Sequence, residues 1–306
     1  MSTGENLVVN ASRNDDGFVE PGMDPYGEVL QTAGVGEGSA NPRYRSQGAR
    51  FFRRVLPILP GIVALALWQV LSGPVIPSLY ISTPWNVADR LYQVFSSGSI
   101  FGDLGTTGEE FIFGYAIGSA VGALVGYLLG RSATTARVLE PYIMALYGVP
   151  MITLAPLFII WFGIGIWSKV TICAIMVYFV VFFNVYSGVR NVDPELVNVA
   201  RILGARGRKL TRHVYLPATA PFLFLGLRAA LPFGVIGVIV GEFISAFSGL
   251  GLYMDKASTT FDPAGVFSGI VILLVFILLA KAGMGVLERR ALRWNKAATR
   301  RLERDR

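Results

Sequence analysis

Six apolar stretches, each long enough to cross a membrane as a helix, constrain the fold of this 306-residue chain more than any other feature. A spanning helix needs roughly 20 apolar residues, because in the hydrocarbon core its backbone polar groups must be hydrogen-bonded within the segment. Hydrophobic residues make up 53% of the chain and charged residues only 15%, a balance that is rare in soluble domains. The sequence therefore predicts an all-α fold, a polytopic transmembrane bundle of six spanning helices. The stretches cover approximately residues 55–76, 107–129, 141–162, 170–189, 218–246 and 264–286.

The fifth stretch is the longest and is interrupted by proline and glycine. Pro221 and Pro232 lie within it, and so do Gly234, Gly237 and Gly241. Proline removes a backbone donor from a helix, and membrane helices that contain it are often tilted, kinked or broken. The sequence leaves these three forms open.

The basic residues lie mostly on one side of the predicted bundle. If the N-terminus is cytoplasmic, the cytoplasmic segments hold all but four of the 27 lysines and arginines. The exceptions are Arg90, Lys169 and Lys256 on the external side and Arg228 inside the fifth stretch. This asymmetry fits the positive-inside rule and predicts that both termini are cytoplasmic. It also accounts for the net charge of +7 without a nucleic-acid partner.

Two tails flank the predicted transmembrane domain, which covers residues 49–295. Residues 1–48 are rich in Gly, Asn, Ser, Asp and Glu, and they are predicted to form a disordered cytoplasmic tail. They have no apolar core followed by a cleavage site, so they do not resemble a signal peptide. Residues 296–306 are predicted to form a basic cytoplasmic tail.

Glycine occupies every fourth position of the second stretch. On a helix this spacing forms one groove, into which the backbone of another helix can pack closely. We predict a helix-packing seam rather than a ligand site at Gly114, Gly118, Gly122, Gly126 and Gly130.

The polar segment 190–217, between the fourth and fifth stretches, carries the signals of a short capped helix. Asp193 is a good N-cap, because its carboxylate can accept amides of the first turn. Pro194 suits the first helical position, and Gly204 suits the residue after the end. On these residues alone two interpretations stay open: a solvated cytoplasmic loop, or a surface that another protein grips.

No catalytic or metal-binding constellation is visible. His213 is the only histidine and Cys173 the only cysteine, which argues against a His-based metal site, an internal disulfide and a cysteine cage. A phosphate-binding sequence of the form G-x-x-x-x-G-K-[ST] is also missing. The sequence therefore predicts a protein that is not an enzyme and binds no cofactor or metal itself, so that any ATP it uses is bound by another chain.

Two ionisable residues lie inside the fifth stretch. Such groups are costly in a membrane, and they usually face the bundle interior or a watery path and have a partner. Arg228 and Glu242 are therefore predicted to line a translocation pathway or gate. For Arg228 a structural tie to carbonyl groups or to a carboxylate on a neighbouring helix is equally compatible, and Glu242 could instead snorkel to the external interface.

The cytoplasmic segment resembles the coupling motif of bacterial ATP-binding-cassette (ABC) importer permeases. That motif reads Glu-Ala-Ala, three residues, Gly, nine residues, then Ile-x-Leu-Pro. Here Asn198-Val199-Ala200 is followed after three residues by Gly204, and after nine more by Val214-Tyr215-Leu216-Pro217. The resemblance covers about residues 55–295 and is to the nitrate, sulfonate, taurine and bicarbonate type. Further segments that carry it are Leu154 to Val170, Gly188 to Leu196, Gly226 to Arg228 and Gly241 to Phe243.

This resemblance implies a type I importer fold and a set of partners in a bacterial inner membrane. These are two ABC ATPase subunits that bind ATP and Mg, a second permease subunit in a homodimer, an external solute-binding protein and membrane lipid. The chain would form the pathway for a small solute such as nitrate, a sulfonate, taurine or bicarbonate. Alternating access would be driven through the coupling residues Asp193, Glu195, Asn198, Ala200, Arg201, Gly204, Ala205 and Pro217.

The chain departs from the family motif at two positions. Asn198 replaces glutamate and Val199 replaces alanine. Asparagine offers a neutral hydrogen bond where glutamate would offer a stronger, charge-assisted one.

The alternative function is that of another class of membrane protein, an ATP-independent secondary transporter or channel. The charges of Arg228 and Glu242 would suit that class. No inverted repeat supports that alternative.

Overall fold

The computed structural model describes residues 59–72, 77, 80–245 and 247–293, and the elements within them are helices. The predicted tails, 1–48 and 296–306, lie outside the described residues, as do residues 55–58 and 73–76 of the first apolar stretch. The main helices are α1 (Leu59–Leu71), α2 (Pro84–Ser96), α3 (Ile100–Arg131), α4 (Ala133–Tyr147), α5 (Ala155–Phe162), α6 (Ile166–Arg190), α7 (Pro194–Ile202), α8 (Leu216–Ser245), α9 (Leu250–Thr259) and α10 (Pro263–Ala291).

Four helical runs are long and apolar enough to cross a membrane. They are α3, α6, α10 and the run Arg208–Ser245, in which a short turn and a π-helical segment lead into α8. The pair formed by α4 and residues 151–162 passes the same test, but it is bent by 80°. Helix α1 has 13 residues, fewer than a span needs. The described residues thus hold four spans, or five with the bent pair, where the sequence predicts six.

The bend in the third apolar stretch has a local cause. Pro150 has no amide proton to continue the hydrogen bonding of α4, and proline disfavours a helical conformation in the residue before it. Pro150 itself is extended, with φ −63° and ψ 104°. The stretch is therefore broken rather than one continuous helix.

The fifth stretch behaves differently. Helix α8 runs unbroken through Pro221 and Pro232, so the broken form that the sequence left open is wrong. Neighbouring helices surround α8 and can compensate for the missing backbone donors.

Helices α3, α6 and α8 form the core, with α6 packed between the other two. The five regularly spaced glycines of α3 all face α6. A Cβ atom at Gly122 would lie 2.6 Å from the carbonyl oxygen of Tyr178, and one at Gly126 would lie 2.8 Å from that of Phe182. Glycine is needed there because the two backbones touch. Gly237 of α8 approaches the backbone of Cys173 from the other side of α6.

The bundle has two ends, which are named here by residues that lie near them. The starts of α3 and α6 and the end of α8 meet at the Glu242 end, where α9 and the start of α10 also pack. The Asp262 carboxylate caps α10 there, accepting the Gly265 amide at 3.0 Å, and also pairs with Arg90 of α2. The ends of α3 and α6 and the start of α8 meet at the Arg131 end, next to α7.

Candidate functional sites

The segment 190–217 forms the capped helix that the sequence predicts. The Asp193 carboxylate accepts the Glu195 amide at 2.8 Å, and Pro194 is the first residue of α7. Gly204 follows the helix with φ +83°, a left-handed conformation that favours glycine. The Ala205 amide donates to the Ala200 carbonyl at 2.9 Å and closes the end of the helix. Pro217 is the second residue of α8, directly after the π-helical segment Thr211–Tyr215, where its missing amide interrupts the helical hydrogen bonding.

Helix α7 presents two different faces. On one face Val197 is buried, and Asn198 and Arg201 line a cavity of about 240 Å³ against the ends of α3 and α6. The rest of the helix surface carries exposed apolar side chains, including Ile202 at 84% exposure, and Leu203 directly after the helix is 82% exposed. Leu196 and Val199 are also exposed on α7. A short helix between two spans thus offers an apolar surface that nothing in the described residues covers.

Arg131 fastens this segment to the core. Its guanidinium donates to the Thr211 hydroxyl at 2.7 Å and lies 4.9 Å from the centre of the Tyr215 ring. The Tyr127 hydroxyl donates to the same Thr211 oxygen at 2.9 Å. The end of α3 is therefore joined to the turn that leads into α8. In the sequence Arg131 counts only as one of the basic residues on the predicted cytoplasmic side, and no motif or residue spacing predicts its contact with Thr211.

Arg228 pairs with the Glu288 carboxylate of α10. This contact is the tie to a carboxylate on a neighbouring helix that the sequence left open as one role of Arg228. The other role, lining a translocation pathway or gate, stays a prediction. Glu288 was not predicted as a partner because it lies two residues beyond the last predicted apolar stretch, 264–286. Helix α10 continues to Ala291, so Glu288 lies on a spanning helix next to α8.

Glu242 is buried, at 1% exposure, and it does not snorkel to an interface. Its carboxylate accepts the Thr107 hydroxyl at 2.6 Å and the Gly251 amide at 2.6 Å. Glu110 of α3 lies beside it and pairs with the Lys169 ammonium at 3.1 Å. Three charged side chains from three helices thus form one buried group, the Glu242 cluster, made of Glu110, Lys169 and Glu242.

Two members of the Glu242 cluster were missed from the sequence. Glu110 lies four residues before Gly114, on the same helical face as the glycine seam, and this register was the available signal. Lys169 directly precedes the fourth apolar stretch and was counted only as an external charge. Among the described residues no group of three or more His, Cys, Asp or Glu side chains could hold a metal ion.

The chain matches a known family of membrane proteins. Residues 118–293 match the model of the family described as the binding-protein-dependent transport system inner membrane component. A Bacillus subtilis (strain 168) protein named as an aliphatic sulfonates transport permease is 32% identical over 241 residues, which cover 78% of this chain and 87% of that protein. The riboflavin transport system permease protein of Chloroflexus aurantiacus is 34% identical over 236 residues, which cover 76% of this chain and 87% of that protein.

A solved structure supports the fold independently. A chain from an inward-facing structure of the MetNI methionine ABC transporter superposes with a TM-score of 0.52 at 20% sequence identity. The match covers 62% of this chain and 93% of that chain. At this identity the likeness concerns the fold alone.

Proposed function

This chain belongs to the family of binding-protein-dependent transport system inner membrane components, the permease subunits of ABC importers, and we propose that α7 is the helix through which an ATPase drives it. The exposed apolar face of α7 carries this proposal. Apolar side chains on a short helix outside the membrane spans cost free energy in water, and a partner protein that covers them removes that cost. The ATPase subunit of the importer is that partner.

The contacts around α7 suit a mechanical link. Arg131 binds Thr211 and stacks on Tyr215, so the turn that links α7 to α8 is attached to the end of α3. A push on α7 would therefore move two core helices together. The coupling residues Asp193, Glu195, Asn198, Ala200, Arg201, Gly204, Ala205 and Pro217 shape this segment, and none of them supplies a nucleotide-binding group.

The complete transporter contains partners of four kinds. Two ATPase subunits bind ATP and Mg, a second copy of this permease completes the pathway, an external binding protein delivers the solute, and lipid surrounds the six spans. Both termini lie in the cytoplasm of a bacterial cell, and the multi-pass permease lies in the inner membrane. Cycles of ATP binding open the pathway alternately to each side. Arg228 and Glu242 belong to the elements that move.

A small organic sulfonate is the proposed solute. The support is the similarity to the Bacillus subtilis sulfonate permease, whereas the similar riboflavin permease shows that solute can change at comparable identity. The test measures the melting temperature of the cognate binding protein with ethanesulfonate, taurine, nitrate, bicarbonate and riboflavin. Stabilisation by a sulfonate is expected, and stabilisation by riboflavin alone would contradict it.

The ATPase link is tested by assembly and transport. Alone, the purified chain should hydrolyse no ATP, and together with its ATPase it should form a stable complex. In proteoliposomes with the binding protein, the complex should take up ethanesulfonate only when ATP is present. Ile202→Asp should prevent assembly, and Ile202→Leu is the matched control that keeps an apolar side chain. Uptake by the permease without any ATPase would favour the ATP-independent class instead.

A further inference from the structure

The Glu242 cluster fastens a helix that the sequence did not single out. Helix α9 (Leu250–Thr259) begins directly above the cluster, and the first amides of α9 have no partners within their own helix. The Gly251 amide donates to Glu242 at 2.6 Å, and the Leu250 amide donates to the Thr107 hydroxyl at 2.9 Å. The Gly249 amide donates to Asp103 at 2.8 Å. Side chains of α3 and α8 therefore satisfy three successive amides at the start of α9.

Glycine makes this close approach geometrically feasible. Gly249 has φ +123°, and a Cβ atom there would collide with the Glu242 carboxylate. A Cβ atom at Gly251 would lie 2.6 Å from that of Glu242. The start of α9 is thus shaped to receive the Glu242 side chain, and it has no room for larger residues.

Lys169 supplies the positive charge that this arrangement needs. Glu110 and Glu242 are each 1% exposed, and Lys169 is 5% exposed. Two neighbouring carboxylates that are shielded from water repel each other strongly unless a cation is close or one of them takes up a proton. The Lys169 stem packs against Gly241 and its ammonium contacts Glu110, which lies beside Glu242. Without this ammonium, the two carboxylates would either repel each other or take up a proton, and either change would weaken the hold of Glu242 on the amides of α9.

We propose that Lys169 is a positioning residue for transport: by balancing Glu110 and Glu242 it keeps Glu242 on the first turn of α9. Helix α9 then moves with α3, α6 and α8 as one body. The effect of Lys169 on transport rests on the proposed function, whereas the attachment of α9 to α3 and α8 can be measured without any assumption about transport.

A disulfide reports on the attachment. The hydroxyl oxygens of Thr106 on α3 and Ser248 before α9 lie 3.1 Å apart, so cysteines there are close enough to bond. Cys173, the only native cysteine, is replaced by alanine. The full-length Thr106→Cys/Ser248→Cys chain is oxidised in membranes, with and without Lys169→Met. We expect Lys169→Met to slow cross-linking by about fivefold or more. Equal rates would overturn the proposal.

Transport gives the second readout. In the complex with ATPase and binding protein, Lys169→Met should reduce ethanesulfonate uptake by about tenfold, because the variant leaves buried carboxylates unbalanced. ATP hydrolysis and complex yield should remain, which a general loss of folding would not allow. The disulfide between the two introduced cysteines should restore uptake to within about twofold until it is reduced, since it replaces the lost attachment.

The controls separate this inference from the proposed function. The cross-link in an otherwise wild-type chain should leave uptake within about twofold of normal. Strong inhibition there would mean that α9 must detach during transport, and it would overturn the proposal. If Lys169→Met does not fold, the double variant Glu110→Gln/Lys169→Met removes both partners of the ion pair. It should recover folding and most of the cross-linking rate. A double variant that recovers neither would refute the proposal that Lys169 balances the charges of the two carboxylates. A wild-type complex without ATP-driven uptake would contradict the proposed function and leave the cross-linking result standing.

Discussion

The Arg228 guanidinium of α8 pairs with the Glu288 carboxylate of α10, joining the core of the bundle to its last helix. The two side chains are 38% and 10% exposed, so the carboxylate is the more shielded partner. Removing the arginine would therefore leave a largely buried negative charge. Removing both charges would avoid that cost.

Arg228→Met should lower the stability of the detergent-solubilised chain by about 1–2 kcal/mol, a value reduced for the partial exposure of the arginine. Arg228→Met/Glu288→Leu should recover most of it. Arg228→Lys should keep part of both stability and uptake, because one nitrogen makes the contact with Glu288. Melting temperature and ATP-driven uptake are measured together. Wild-type values for Arg228→Met would show that the pair does not tie the helices.

Gly204→Val should weaken assembly with the ATPase and leave membrane insertion intact. The φ of +83° is strained for a β-branched residue, at a cost of about 1 kcal/mol or more. The measurement is the amount of ATPase that co-purifies with the tagged permease. Gly165→Val is the matched control, since Gly165 also has open space around it but an extended φ of −151°. An equal yield for both variants would rule out the proposed ending of α7.

Asn198→Glu, which installs the residue typical of the family, should be tolerated or should tighten binding of the ATPase. Asn198 is exposed and lines a cavity together with Arg190 and Arg201, so a carboxylate there would find opposite charge. The dissociation rate of the complex measures the effect. Loss of the complex would indicate that α7 docks in a different orientation. Asn198→Gln is the control, because glutamine has the same length as glutamate but no charge.

Gly122→Ala should destabilise the bundle by several degrees in melting temperature. The new Cβ would lie 2.6 Å from the Tyr178 carbonyl oxygen, so α3 and α6 would have to separate. Gly108→Ala, in the same helix but with open space around it, should change little. Thermal denaturation followed by tryptophan fluorescence compares the two variants. Similar melting temperatures would contradict close contact of the two helices.

Hydropathy and local signals predicted much of this architecture because the responsible forces act over short stretches of chain. The apolar length identified α3, α6, α8 and α10, and Asp193, Pro194 and Gly204 marked the bounds of α7 to within about two residues. The bend at Pro150 was missed because a run of apolar residues hides a break in backbone hydrogen bonding. Residues 55–58 and 73–76 of the first apolar stretch lie outside the described structure.

The buried contacts were harder to predict because they join residues far apart in sequence. Glu242 was recognised as an unusual residue, but its neighbours Glu110 and Lys169 come from two other helices. Their meeting depends on the rotation of each helix about its own axis, which apolar length does not specify. The same holds for Glu288, the partner of Arg228.

If the ATPase covers the exposed apolar face of α7, as proposed, that face also makes the lifetime of the permease depend on its assembly. Before the ATPase binds, Ile202 and Leu203 expose apolar surface like that of an unfolded protein, which chaperones and proteases recognise. An unassembled permease would therefore be short-lived, and binding of its ATPase would protect it. In a pulse-chase experiment its half-life should rise when the ATPase is co-expressed. The amount of permease in the cell would then depend on the amount of its ATPase subunit.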